Sequence, residues 1–138
     1  MRVVITGCRH WNAYELAEQV VNRLLARYGP GVIIVHGAAT GIDAAFREAC
    51  EALGVEHEPH PARWDEHGKR AGPIRNQEMV DAGAQMCIAF HRAISASKGT
   101  RDCVRRALAA GIACYLIDGD HGVPKRIHAD DPRLEQRR

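Results

Sequence analysis

Long apolar runs are missing from this chain of 138 residues. None approaches the ~20 residues that a membrane span requires, so no membrane partner is expected. The opening residues Met1-Arg2-Val3-Val4-Ile5-Thr6-Gly7 turn before building the apolar stretch or small-residue cleavage site of a signal peptide, and a cytoplasmic location is the expectation. Paired cysteines are missing too. Cys8, Cys50, Cys87, Cys103 and Cys114 are odd in number, widely spaced and without a CxxC, which argues against a disulfide framework or a zinc knuckle. They read as small buried hydrophobes. The eight histidines include no HExxH spacing, and no metal is expected. Nor is there a strong excess of one charge. The net charge is +2, and Arg133, Arg137 and Arg138 supply part of the basic side. With aromatics at only 5%, nucleic acid is an unfavoured partner.

Several phosphate and nucleophile motifs are also absent. No GxGxxG follows the first strand-like run and no GxxxxGK[ST] occurs, which excludes a dinucleotide dehydrogenase and a P-loop NTPase. No cofactor is expected. A GxSxG elbow is lacking, and Cys8 beside Arg9 and His10 makes a poor dyad because neighbouring residues seldom face one another.

What is present alternates. Val3-Val4-Ile5-Thr6 and Val32-Ile33-Ile34-Val35 are apolar on both faces, as buried parallel strands are. After the first, Asn12 and Glu15 have capping-box spacing, and Leu16, Val20, Leu24 and Tyr28 recur at helical intervals up to Gly29-Pro30-Gly31. After the second comes a small-residue turn from Gly37 to Gly41. Thr40 and Asp43 then open a helix whose apolar stripe is Ile42, Phe46, Ala49, Cys50 and Leu53. Val55 to Pro59 contains a proline and suits an edge strand. His60 to Pro73 is polar and reads as a functional loop carrying Trp64. Ile74 to Ala82 is a helix, Gln85 to Phe90 a fourth strand, Thr100 to Ala110 a helix and Ala113 to Ile117 a fifth strand. One domain over residues 1–120 follows, with a weakly ordered tail over 121–138.

Strict alternation of this kind implies an α/β fold, a Rossmann-like three-layer sandwich around a central parallel sheet of about five strands. In the order 3-2-1-4-5 the switch point falls between the first and fourth strands, and ligands sit outside the carboxyl ends there. The expected ligand-binding residues are Gly7, Cys8, Arg9 and Trp11 after the first strand, and His36, Gly37, Ala38, Gly41 and Asp43 after the second. Lys98, Gly99 and Thr100 join them at the start of a helix whose unpaired N–H groups suit an anion. Trp11 or Trp64 offers a face for a base.

Five motifs in order carry a resemblance: Ile5-Thr6-Gly7-Cys8-Arg9 with Trp11; His36-Gly37-Ala38-Ala39-Thr40-Gly41-Ile42-Asp43; Trp64-Asp65-Glu66-His67-Gly68-Lys69; Ala71-Gly72-Pro73-Ile74-Arg75-Asn76-Gln77-Glu78-Met79; and Lys98-Gly99-Thr100. In these the chain resembles the YspA/YpsA-related branch of the SLOG superfamily. The resemblance implies binding of a nucleotide or nucleotide-derived ligand such as AMP or ADP-ribose, with Arg75 and Asn76 added to the site, and a homo-oligomer, dimer or higher. Two alternatives come with it. One is a Lonely-guy-like phosphoribohydrolase, which cleaves an N-glycosidic bond of a nucleoside monophosphate, and the other is single-stranded DNA binding like that of DprA. The hydrolase motif PGGxGTxxE has a glutamate where this chain has Cys103, and Asp102 lies about 100° round the helix from it. The resemblance therefore argues for binding more than for chemistry, and catalytic residues stay unassigned.

Overall fold

The computed structural model describes residues 1–120 and 122–135. In chain order the elements are β1 (Arg2–Gly7), α1 (Tyr14–Tyr28), β2 (Ile33–His36), α2 (Ile42–Leu53), β3 (His57–Pro59), α3 (Trp64–His67), α4 (Ala71–Asp81), β4 (Met86–Phe90), α5 (Gly99–Ala109), β5 (Ala113–Ile117) and β6 (Lys125–Ile127). Six strands form one sheet in the order β3-β2-β1-β4-β5-β6. All neighbours are parallel except β6, which runs antiparallel to β5 with Cys114 opposite Ile127 and Leu116 opposite Lys125. The fold is the Rossmann-like sandwich that the alternation requires.

The two faces of the sheet bury separate apolar clusters. On one, Leu16, Val20, Val21 and Leu24 of α1 and Phe46, Ala49 and Cys50 of α2 pack onto Val3, Ile5 and Ile34. On the other, Met79 and Val80 of α4 and Cys103, Val104 and Ala107 of α5 pack onto Val4, Val35 and Cys87. Each large apolar side chain so buried contributes roughly 1.5–3 kcal/mol. Phe90, at the carboxyl end of β4, joins the first cluster, with its ring 5.0 Å from that of Phe46. That packing fixes the chain just before it enters the switch-point loops.

Local starts differ from those read in the sequence. Asn12 caps nothing: α1 begins after Ala13, with no side-chain cap. Trp11 is drawn into the core edge-on to Phe90, and Asn12 beside it turns to solvent. Asp43 reaches back from α2 to the preceding loop, where its Oδ2 accepts from the N–H groups of Gly37 at 3.1 Å and Ala39 at 3.2 Å. The stretch from His60 to Pro73 contains α3, a 3-10 turn over Gly68–Arg70 and the start of α4. Pro73 fits there because a first helical turn has no partner for its N–H groups. Beyond Ile117, β6 and a 3-10 turn at Pro132–Leu134 are held by two buried anchors, Ile127 and Leu134. These lie within the stretch expected to be a weakly ordered tail, of which His121 and residues 136–138 fall outside the described residues. No helix among the described residues is long and apolar enough to cross a membrane.

Candidate functional site

A crevice of about 190 Å³ opens at the carboxyl ends of β1 and β4. Gly7, Cys8 and Arg9 line it from β1 and its loop, Gly37, Ala39 and Asp43 from the β2–α2 connection, and Ser97, Gly99 and Thr100 from the start of α5. Arg75 and Asn76 reach in from α4.

Two glycines make this convergence possible. A Cβ on Gly37 would lie 2.1 Å from Nη1 of Arg75, so a side chain there would displace the guanidinium. Gly41 has φ +73°, and a Cβ on it would stand 2.3 Å from the carbonyl oxygen of Cys8. It lets the β2–α2 loop close against the β1 loop, a contact extended by the Thr40 hydroxyl donating to the Arg9 carbonyl at 3.2 Å.

Arg75 is the central charge. It is 9% exposed, and its Nη1 donates to the carbonyls of Gly37 and, at 3.5 Å, of His60. Its Nε donates to Oδ1 of Asn76 at 3.0 Å. None of the ion pairs among the described residues includes it. Burial pulls its pKa below the usual arginine range, and the nearby negative charge of Asp43 acts the other way. A guanidinium removed from water, hydrogen-bonded only to neutral acceptors and offset by Asp43 only at a distance, has capacity for a direct anionic partner in the crevice.

Asn76 is held in one orientation. Its Nδ2 donates to Oδ2 of Asp102 at 3.0 Å and to the Gly99 carbonyl at 3.3 Å, which leaves Oδ1 for Arg75. Asp102 in turn accepts from Nε of Arg106 at 2.9 Å. It is therefore committed to bracing α4 against α5.

At the start of α5 the cap is Ser97, whose Oγ accepts from the N–H of Thr100 at 3.0 Å. Its spacing three residues ahead of Thr100 is the ordinary sequence signal for such a cap. A Cβ on Gly99 would meet nothing within 4 Å, so the backbone faces open space there. The β2–α2 connection is different, because Asp43 already occupies two of its N–H groups. The other Asp43 oxygen, Oδ1, is buried with no hydrogen-bond partner among the described residues. Burial raises this carboxyl to about 6, against the pull of the Ala39 N–H, the Arg75 charge and the Gly37 N–H.

The remaining expected residues fall outside the crevice lining. Trp11 is 7% exposed, with the Arg92 guanidinium 4.6 Å over its ring, and offers no free face for a base. His36 is fully buried, its Nδ1 accepting from the Ala38 N–H at 3.0 Å and its Nε2 lying 3.0 Å from Nδ1 of His57. Burial lowers its pKa to about 4, so it supports the loop as a neutral ring. Ala38, with φ 56°, lines a neighbouring hollow, and Lys98 lines a groove on the other side of Arg75. Residues that sequence reasoning left out of the site and the crevice includes are the apolar Ile5 and Met79 and, besides them, Thr6, His10, Ala39, His91 and Ser97.

A mostly parallel sheet with a donor-rich crevice at its switch point defines this as a Rossmann-like protein. The chain belongs to the YspA, cpYpsA-related SLOG family, whose pattern residues 1–67 match. It is 42% identical over 116 residues to the gene 61 protein of Mycobacterium phage D29, an alignment spanning 80% of this chain and 91% of that protein. Membership of the SLOG family suggests a nucleotide-related function.

Proposed function

We propose that this protein binds a phosphorylated nucleoside derivative, of the class of AMP or ADP-ribose, at the carboxyl edge of its sheet. The observation that carries the reading is Arg75, a buried guanidinium with no hydrogen-bonded carboxylate partner among the described residues, beside the open start of α5. The phosphate rests between Arg75 and the open backbone at Gly99, where the helix dipole favours negative charge. At about 190 Å³ the crevice is smaller than the ~300–1,000 Å³ usual for small-molecule sites, so it takes the phosphate and adjoining sugar. Trp64, 49% exposed and lining both neighbouring hollows, is then the aromatic surface within reach of a base. Thermal shift with AMP, ADP-ribose and NAD tests the reading. A ligand at 100 times its Kd raises stability by about 2.7 kcal/mol, and Arg75→Ala abolishes the response. Absence of any shift from all three ligands contradicts it.

Asp43 favours a second reading, cleavage of an N-glycosidic bond. Its carboxyl lines the crevice and titrates near 6, within reach of acid–base work at neutral pH. Cys103, at the position of the hydrolase glutamate, is fully buried and supplies no such group. Chromatography of nucleoside monophosphates after incubation with the protein decides this reading: free base supports it, intact substrate removes it.

A further inference from the structure

The crevice continues past Arg75 and Asn76 into a groove of about 580 Å³ between α5 and the α3–α4 segment. Arg9, Lys69, Lys98, Arg101 and Arg105 line it, and Trp64 forms one wall. The near balance of charge over the whole chain conceals this concentration. Among the described residues Arg9, Lys69, Lys98 and Arg105 join no ion pair, and Arg101 donates only to the carbonyls of Ser95 at 3.0 Å and Glu135 at 3.2 Å. The one carboxylate in the lining is Asp102, whose Oδ2 is taken by Asn76 and Arg106. Arg9 stands at the junction, lining both spaces with its guanidinium 5.6 Å over the Trp64 ring.

Cations held close together without counter-charges repel one another, and the repulsion is relieved by a ligand carrying several negative charges. We infer that crevice and groove form one extended site for a nucleotide bearing at least one phosphate beyond the one on Arg75, a pyrophosphate-bridged class rather than a mononucleotide. The inference rests on the reading of Arg75 and α5 as the first phosphate position. Shared walls at Arg75, Asn76 and Gly99 make the two spaces continuous, and together they fall within the size range of small-molecule sites. A single-stranded nucleic acid fits less well, because it needs successive aromatic platforms and the groove has Trp64 alone.

Calorimetric titration of the full chain with AMP and with ADP-ribose tests this, together with the double variant Lys69→Glu/Arg105→Glu. Both residues are exposed, their side chains donate no hydrogen bond among the described residues, and both lie outside the crevice. ADP-ribose is expected to bind about tenfold or more tighter than AMP, and the double variant to lose about that factor for ADP-ribose while AMP stays within about twofold. The gap between the ligands narrows as salt rises. Should the double variant fail to fold, Lys69→Gln/Arg105→Gln removes the charges without reversing them. Equal affinities for AMP and ADP-ribose, with the variant unchanged, overturn the inference and leave the first phosphate position standing. If neither ligand binds, that reading fails and the inference fails with it. A thymidine oligonucleotide that binds more tightly with length and displaces ADP-ribose assigns the groove to nucleic acid and also overturns the inference.

Discussion

Two helix starts meet at the edge of this sheet, and they are prepared differently. Before α2, the N–H groups of Gly37 and Ala39 are already taken by the Asp43 carboxylate, which the chain supplies itself. Before α5, Ser97 takes the N–H of Thr100, and the backbone at Gly99 stands open beside the guanidinium of Arg75, which joins no ion pair among the described residues. A negative charge seated at one helix start cancels the field that would draw an anion there, whereas the other keeps it. The comparison teaches that a small-residue turn at a switch point is insufficient to mark a phosphate site. What matters is whether the chain has seated a negative charge of its own on the donors, as Asp43 does before α2 and the neutral Ser97 hydroxyl does not before α5.

The largest effect should come from Gly37→Ala. The new Cβ cannot coexist with Arg75 in its present place, so the guanidinium is displaced and the contrast between the helix starts disappears. Loss of AMP binding by about 100-fold and of stability by about 1–3 kcal/mol is expected from titration and urea denaturation. Unaltered affinity would show that Arg75 is not the anion partner.

Asp43→Asn sharpens the contrast through pH. The wild-type carboxyl is raised to about 6 in the folded protein from an ordinary value near 3.8, so the folded state holds its proton more tightly. Between those values stability falls as pH rises, by about 2–3 kcal/mol for this group alone. His36, lowered to about 4 from 6.5, acts in the opposite direction, since its stabilising neutral form is gained as pH rises through the same window. The two offset each other in the wild type. In Asp43→Asn the histidine slope stands alone, and the variant gains about 2–3 kcal/mol on the wild type between pH 4 and pH 7. Denaturation curves at the two pH values check this, and a constant difference would rule it out. Ser97→Ala should have the smallest effect, about 1 kcal/mol of stability from the lost cap, with ligand affinity little changed.

The strands and their order were legible because continuous β-branched runs between glycine turns leave few alternatives to a parallel sheet. Loops from distant parts of the chain followed from that order, which sets Gly7, Gly37 and Gly99 at one edge of the sheet, whereas Arg75 was indicated by the resemblance alone. Side-chain direction was not legible. Asn12 and Glu15 have the spacing of a capping box, but Trp11 gains more by burial against Phe90 than a cap would contribute, and the chain turns accordingly. The same burial removed Trp11 from the ligand side. β6 was hidden because Lys125-Arg126-Ile127 shows only one apolar position, and the antiparallel pairing with β5 that orders it is a long-range contact. Neither the groove cations nor the occupied donors before α2 leave a local pattern, since both depend on what the fold brings near.

The most direct test of the difference between the two helix starts is a titration with AMP followed by amide NMR of the wild-type chain. Gly99 should show the largest amide shift, saturating with the thermal-shift affinity, while Gly37 and Ala39 keep the hydrogen bonds to Asp43, and Thr100 its bond to Ser97, and move far less. Shifts centred on Gly37 and Ala39, with Gly99 unmoved, would contradict the assignment of the phosphate to α5.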